Sequence, residues 1–571
     1  MKDNSRLVIF DFEVRNLSMN WILGIALFLT CVFLINHFLN KRRELRENKR
    51  ITDEWGKPKT ASYFNMHKIS RYFENRRENV KAYQIIEDAT CNDLDFDAVF
   101  KFMDRTSSKI GQQFLYYKFR VIQPLDRVKR FAALSGIFEK DTLTRTVFQR
   151  ELLKLNHVKA YGLEELAHFD TVKKPKILNL LYALSGLAIV ALGLSFFYPV
   201  FSLLLIPIFA INMVFHYRNK ETIVYYMRGL AVFSKAVPIA QFFAKNDNIQ
   251  AFYTDFHFLR PLSNMRDKVK FFTTESKLYN EFLAVFWIVS ECIKILFNIE
   301  YIVFYRLADR LLNERENIDR LFEFIGEIDV AISCASVRAG KIVTCTPVFT
   351  PENTIFYTEL THPLLKDCVP NDLELTNSSM LITGSNMSGK TTFIRTIALN
   401  ALLAQTLHIC FAKRYEAPFF RIYSSIRISD DLLSQKSYYL EEVLRVKKLI
   451  NASKEASPCM FVMDELLKGT NTLERIAAGT AIISYLNKPQ HFVFVATHDT
   501  ELTKLVEPED FESYHFIESI ANNKLFFDHK LKKGPLRTSN AIKILEINGY
   551  PSQIIEQSQE TALTLLKASY S

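Results

Sequence analysis

The sequence predicts a C-terminal α/β domain on a parallel sheet, preceded by an all-α region that an apolar hairpin interrupts, with one more apolar helix near the N-terminus. Three observations carry this reading. The nonapeptide Gly384-Ser385-Asn386-Met387-Ser388-Gly389-Lys390-Thr391-Thr392 lies between the apolar run Met380-Leu381-Ile382 and a helical stretch from Phe393 to Leu403. Two later apolar runs, Cys459 to Met463 and Phe492 to Ala496, each end in ionisable residues. Three further runs, Met19 to Leu39, Ile177 to Phe197 and Val200 to Tyr217, contain no Asp, Glu, Lys or Arg.

The nonapeptide matches G-x-x-x-x-G-K-[ST] in the strand–loop–helix setting that this motif requires. Its glycines let backbone N–H groups curl around a triphosphate, and the following helix N-terminus adds partial positive charge. Residues Gly384 to Thr392 are therefore the expected ATP-binding loop. Lys390 would reach the β- and γ-phosphates and the Thr391 hydroxyl would hold Mg²⁺.

A nucleotide that is hydrolysed needs an acidic pair on a neighbouring strand. Cys459 to Met463 is a continuous apolar run of the kind a strand buried on both faces shows, and it ends in Asp464-Glu465. Asp464 would complete the Mg²⁺ shell and Glu465 would orient the attacking water. Phe492 to Ala496 ends in Thr497-His498-Asp499, which places His498 to hydrogen-bond a γ-phosphate. Glu465 and His498 are the candidate catalytic residues, and Thr391 and Asp464 the candidate metal ligands.

These residues resemble the MutS family. The Asn386-Met387 pair inside the phosphate loop is unusual among such loops and is shared with that family. Phe461-Val462-Met463-Asp464-Glu465-Leu466-Leu467-Lys468-Gly469-Thr470-Asn471-Thr472 is similar to its second nucleotide motif, and Ala496-Thr497-His498 to its switch histidine. Ser429 to Glu442 is similar to its signature segment, Thr361 to Leu365 with Val369 to Asp372 to the entry of its ATPase domain, and Gly549-Tyr550-Pro551 to its closing turn. A weaker likeness, in Asp88 to Phe96 and Met103 to Gly111, reaches the start of the family's core, and Gly326 to Ala331 resembles its last lever helix. The resemblance implies an ABC-like ATPase domain that works as a homodimer, with Ser437 of the signature segment reaching the γ-phosphate held by the second copy. It also implies DNA, duplex or branched, as ligand. Ser385 and Ser388 stand where the family usually has Pro and Gly, and Gln435-Lys436 where it has Gly-Arg.

A run of about 20 apolar residues at 1.5 Å rise spans the roughly 30 Å hydrocarbon core of a bilayer. Basic clusters flank all three runs on one side: Lys41 to Arg50, Lys173 to Lys176, and Arg218 to Lys220. The positive-inside bias puts these in the cytoplasm, so the first run is N-out and the second and third form a hairpin with a short outer turn. The first run has no small-x-small site after it and reads as a retained anchor rather than a signal. A fourth apolar stretch, Phe282 to Tyr305, is interrupted by Glu291, Lys294 and Glu300, and reads as a long amphipathic helix of the lever region rather than as a span.

The net charge of +10 sits largely beside the membrane runs, where it serves topology and anionic headgroups, so it does not by itself argue for nucleic acid. The eight cysteines form no C-x-x-C pair, which indicates neither a zinc site nor a disulfide framework. No Gly-x-Phe-x-Glu wedge occurs, and the apolar hairpin falls where the family's DNA clamp projects. The expected organisation is an anchor with its basic flank (1–50), a helical core (51–176), a transmembrane hairpin (177–217), a helical lever region (218–345) and a MutS-type ATPase domain (346–571). The expected protein is a multi-pass membrane ATPase with its ATPase domain in the cytoplasm, acting on DNA in repair or recombination. The alternative is an ATPase that acts on the lipid bilayer or a membrane partner, without DNA.

Overall fold

A computed structural model describes residues 44–59, 64–167, 178–273, 284–385, 388–427, 438–507, 509–521, 524–536 and 541–569, with isolated positions between 30 and 42. Most of the apolar run 19–39, the basic cluster 173–176, Asn386, Met387 and the signature residues 428–437, Ser437 among them, lie outside these residues.

The helical region is organised around Lys109–Arg120, which is buried along its whole length apart from Lys109. Ser108 caps it, with Oγ accepting from the Gly111 N–H at 2.9 Å. Most of its polar side chains find partners within the core, although the buried Gln113 Oε1 has none among the described residues. The Gln112 amide donates to Asp104 Oδ2 at 2.6 Å, Gln113 to the Lys68 carbonyl at 2.8 Å, and Lys118 stands 3.8 Å over the Phe131 ring. This helix packs against Met66–Glu74, the 24-residue helix Arg315–Arg338 and the helix that follows the phosphate loop, Lys390–Leu407. It therefore stands between Arg315–Arg338 and the helix that follows the phosphate loop. The region is not wholly α: Gln84–Ile85 and Val121–Ile122 form a short antiparallel pair that brackets the buried helix.

Helix approach is closest at Gly111. A Cβ there would overlap Asp329 Oδ2, and that carboxylate accepts from Ser107 N (2.7 Å), Ser108 N (2.8 Å) and Ser108 Oγ (2.6 Å). Burial pushes the Asp329 carboxyl up to about 6 despite these donors. Gly111→Ala must displace a hydrogen-bonded buried carboxylate. It is expected to cost about 1–3 kcal/mol, visible as a lowered melting midpoint of the purified chain.

The apolar hairpin differs from expectation on one side. Leu178–Ser195 forms its first arm, but its second arm does not end near Tyr217: Leu205–Phe243 is a single helix of 39 residues. The chain thus passes without a break from the apolar arm into the helical core, where Leu230, Phe233, Val237 and Phe243 are buried. Leu178–Ser195 and Pro199–Arg218 are each long and apolar enough to cross a bilayer, and only 28% and 17% of them is buried. Their apolar side chains, such as Ile189, Val190, Ile206 and Val214, face outward rather than into a protein core. The stretch expected as one amphipathic helix is two: Ala284–Leu296 and Ile299–Asn313, separated at Asn298, which adopts φ 50°. Asn tolerates that left-handed conformation better than most residues.

The C-terminal domain holds a six-stranded sheet in the order 532–533, 511–515, 379–383, 492–497, 459–464, 421–425. All pairings are parallel except the edge pair 511–515/532–533. Ser379–Thr383 and Phe492–Thr497 are buried at every residue, and Cys459–Asp464 at all but Asp464, as continuous apolar runs require in a sheet covered on both faces. A second sheet, in the order 348–349, 414–417, 354–360, 371–376, packs beside the phosphate-loop helix through Tyr357 and Tyr415.

Candidate nucleotide-binding site

The strand order corrects one expectation. Cys459–Asp464 is not the neighbour of the phosphate-loop strand, because Phe492–Thr497 is inserted between them and pairs with both. The consequence is convergence. The three strand ends place the phosphate loop, His498 and Asp464-Glu465 side by side along one edge of the sheet.

Lys390 is almost fully buried, and its ammonium donates to the carbonyls of Gly384 (2.7 Å) and Ser385 (2.8 Å). Burial lowers its pKa to about 8. Gly384 and Gly389 have φ of 151° and 108°, a region that L side chains rarely adopt. At Gly384 a Cβ would also lie 2.8 Å from Ser388 Oγ and 2.9 Å from the Phe516 carbonyl. Ser388 has no positive φ, so the loop needs no glycine there, and its hydroxyl instead closes the turn by donating to the Ser385 carbonyl at 2.8 Å. Thr392, the last residue of the nonapeptide, lies in the first turn of the helix Lys390–Leu407 and accepts at its carbonyl from the Thr396 hydroxyl at 2.7 Å.

Thr391 Oγ1 donates to Asp464 Oδ2 at 2.7 Å, and burial raises the Asp464 pKa. The second oxygen, Asp464 Oδ1, is buried and has no hydrogen-bond partner among the described residues. A hydroxyl and a half-satisfied carboxylate facing the phosphate loop are the hard oxygen donors that Mg²⁺ takes, so the site fits that ion.

Glu465 adopts φ 51°, a conformation uncommon for this residue type. It aims the carboxylate at His498, whose Nε2 lies 2.8 Å from Oε1, while Lys468 Nζ lies 2.8 Å from Oε2. The His498 hydrogen bond and Lys468 hold the Glu465 carboxyl down at about 2. With Glu465 ionised, His498 Nε2 carries the proton and donates to it. The 3.3 Å approach of Lys390 Nζ to the same nitrogen is then packing rather than a second hydrogen bond.

Beside the loop lies a cavity of ≈ 430 Å³ lined among others by Leu365, Val369, Phe393, Phe516, Gly389 and His529. It is apolar on one wall and opens onto the phosphate loop, a shape that suits a nucleoside. His529, not singled out from the sequence, lies with Nδ1 3.1 Å from the Ser388 carbonyl.

Three further groups lie within segments quoted from the sequence, but nothing in those segments gives their contacts. Lys468 pairs with Glu465. Glu442, buried on Tyr438–Ala452, accepts from the Leu467 N–H and from the N–H groups of Lys468 and Gly469, so this helix grips the loop that carries Lys468. Asp93 is fully buried and accepts from Ser424 Oγ (2.7 Å), Ile426 N (3.1 Å) and Arg427 N (2.8 Å). Its neighbour Asp95 pairs with Arg427 at 2.5 Å and with Arg395, on the phosphate-loop helix, at 3.4 Å. The core is thus tied to both the nucleotide loop and the strand leading into the signature segment. The likeness in Asp88 to Phe96 marked this segment in the sequence without giving its contacts.

Residues 380–566 match the family description MutS domain V. Two curated relatives, both DNA mismatch repair proteins MutS, are each similar over somewhat less than half of the chain. The protein from Staphylococcus haemolyticus is 30% identical over 273 residues, 46% of this chain and 31% of its own length. The protein from Thermus thermophilus is 33% identical over 261 residues, 45% of this chain and 31% of its own. The matched part spans about a third of the length of these relatives. Residues 380–566 contain the phosphate loop, Asp464-Glu465 and His498, which the fold brings to one sheet edge, and it is in this segment that the chain is similar to MutS.

Proposed function

We propose that this chain is a Mg-dependent ATPase that closes as a homodimer around ATP and acts on DNA at a membrane, in repair or recombination. The observation that carries the hydrolytic reading is the convergence of Thr391–Asp464, Lys390 and Glu465–His498 at one strand edge. In the resting arrangement Lys390 is folded onto the loop's own carbonyls and Glu465 is held by His498 and Lys468. A triphosphate offers Lys390 an anionic partner in place of neutral carbonyls, and offers His498 a second anion to donate to in place of Glu465. As they turn to it, Glu465 keeps its charge and becomes free to orient a water. Thr391 and Asp464 would hold Mg²⁺, which neutralises phosphate charge. Ser437 would complete the site of the second copy, and Gly384 to Thr392, with Asn386 and Met387, would wrap the phosphates. DNA as ligand rests on the family alone.

A second reading, an ATPase acting on the bilayer or a membrane partner, is favoured by the outward apolar faces of 178–195 and 199–218 and by the unbroken 39-residue helix linking them to the core. One experiment separates the two. ATP turnover is measured on the full chain in lipid vesicles, with and without homoduplex, mismatched and branched DNA, at low and moderate salt. Stimulation that persists at moderate salt supports the DNA reading, since non-specific phosphate contacts weaken steeply with salt. Turnover that ignores every DNA but changes with lipid composition supports the second. No turnover with Mg²⁺ and ATP under any condition overturns the hydrolytic reading itself.

A further inference from the structure

The two helices Ala284–Leu296 and Ile299–Asn313 dock onto the apolar hairpin in a defined register. On the inward side, Glu291 faces His216 (Oε1 to Nε2, 3.6 Å), and five residues later the Leu296 carbonyl accepts from Asn212 Nδ2 at 2.8 Å. Rising numbers on the first helix meet falling numbers on Leu205–Phe243, so the two run antiparallel. On the outward side, the Phe297 carbonyl accepts from Ser185 Oγ at 2.8 Å, Tyr301, Phe304 and Tyr305 cluster with Leu178 and Leu181, and Arg306 reaches the Tyr182 hydroxyl at 3.3 Å. The second helix therefore runs back along Leu178–Ser195 toward its start. The pair is a helical hairpin with its tip at Phe297-Asn298.

The tip is deep. Ser185 is seven residues from the start of its arm and Asn212 six from Arg218, about 10 Å along each helix at 1.5 Å per residue. We propose that 284–313 is a re-entrant hairpin that dips into the cytoplasmic leaflet of a lipid bilayer, with Val289, Cys292 and Ile293 facing acyl chains. This rests on the reading that 178–218 is in the membrane.

Two observations name lipid as the occupant. Val289 and Ile293 are 52% and 46% exposed on a helix that packs against Leu205–Phe243, whose Val214 is exposed as well, so both partners of this packing present apolar side chains outward. The three charges that interrupt the run are turned toward His216 and one another. Lys294 Nζ lies 3.4 Å from Glu291 and 3.6 Å from Glu300, and both carboxylates face His216, within 3.6 and 3.9 Å. Ionisable groups at membrane depth are tolerated when they pair inside the protein, and broken helices when protein satisfies their backbone. Here Ser185 and Asn212 take the free carbonyls of the tip. Exposed Arg218, Arg306 and Arg310 mark the headgroup level. Because Ile299–Asn313 joins Arg315–Arg338 through the single residue Glu314, the lever helix is anchored directly in the leaflet.

The native thiol of Cys292 tests this. The full chain, with Cys31, Cys345 and Cys368 replaced by serine, is reconstituted in phosphatidylcholine/phosphatidylglycerol vesicles and exposed on both faces to a membrane-impermeant maleimide. Two further chains of that background, with Cys292 also replaced by serine, carry the controls Glu316→Cys, outside the leaflet, and Ile189→Cys, on the hairpin. Cys292 is expected to react at least tenfold more slowly than Glu316→Cys, and a fluorophore attached to it in detergent before reconstitution is expected to be quenched by lipids spin-labelled on the acyl chain. Rapid labelling of Cys292 with Ile189→Cys protected overturns the re-entrant hairpin alone. Rapid labelling at both positions overturns it together with the membrane reading beneath it. Protection of Cys292 without lipid quenching means that protein covers this face, and also overturns the proposal.

Discussion

Glu465→Gln is expected to lower the turnover number for ATP by about 10² or more, the usual contribution of a positioned general base, while leaving nucleotide affinity within a few-fold. The carboxylate is already ionised, held at about 2 by His498 and Lys468, so at neutral pH the substitution removes a negative charge and a proton acceptor rather than changing a protonation state. The amide oxygen can still accept from His498 Nε2, and the backbone at φ 51° does not depend on which of the two side chains it carries. Nucleotide closure should therefore proceed and hydrolysis should not. The measurement is steady-state turnover together with the molecular mass of the purified chain with Mg²⁺ and ATP. A dimer that accumulates only in the variant supports the roles given to Glu465 and to the second copy. Wild-type turnover by Glu465→Gln would falsify the assignment of Glu465.

Lys390→Ala is expected to weaken ATP binding by at least about 30-fold. Truncating one partner of a buried, hydrogen-bonded charge pair costs about 2–5 kcal/mol, and the phosphates would be left facing the carbonyls of Gly384 and Ser385 with no cation between. The wild-type chain carries a second signature of the same lysine. Its pKa in the nucleotide-free protein is about 8, against about 10.4 for a free lysine, because burial disfavours the charge. Bound phosphates favour the charged form, so binding takes up a proton above that pH. Affinity should be flat below pH 8 and fall by up to about tenfold per pH unit above it. Titration calorimetry between pH 6.5 and 9.5 reads both effects. An affinity unchanged up to pH 9.5 would show that Lys390 does not lose its charge in the free protein.

Much of the site was legible because its grammar is local. A phosphate loop must have its glycines where φ turns positive and its lysine at the helix start, and both fall within six residues. The acidic pair and the histidine could be found because each closes an apolar run, and such runs read as strands buried on both faces. The groups that hold these residues in place had no such grammar. Asp93 meets Ser424 and the backbone of Ile426 and Arg427 across more than 300 residues, and Glu442 reaches a loop 25 residues on; neither contact leaves a periodicity. Lys468 was quoted within a motif, yet its pairing with Glu465 follows from the left-handed turn at Glu465 and Leu467.

The break within 282–305 was hidden for a related reason. Composition counts Glu291, Lys294 and Glu300 as polar wherever they point, whereas a hairpin break at Asn298 turns all three toward His216 and each other. Residue order alone therefore determined which chemistry this chain carries: a phosphate loop, an acidic strand end, a strand-end histidine and apolar runs of membrane length. Tertiary structure decided that Phe492–Thr497 lies between the other two strands, that the second apolar arm continues unbroken into the core, and which carboxylates are bound and which left open. The physical reason is range. Helical pitch, turn geometry and apolar runs are fixed by neighbours a few residues apart, whereas strand order and buried ion pairing are selected by packing among segments hundreds of residues apart.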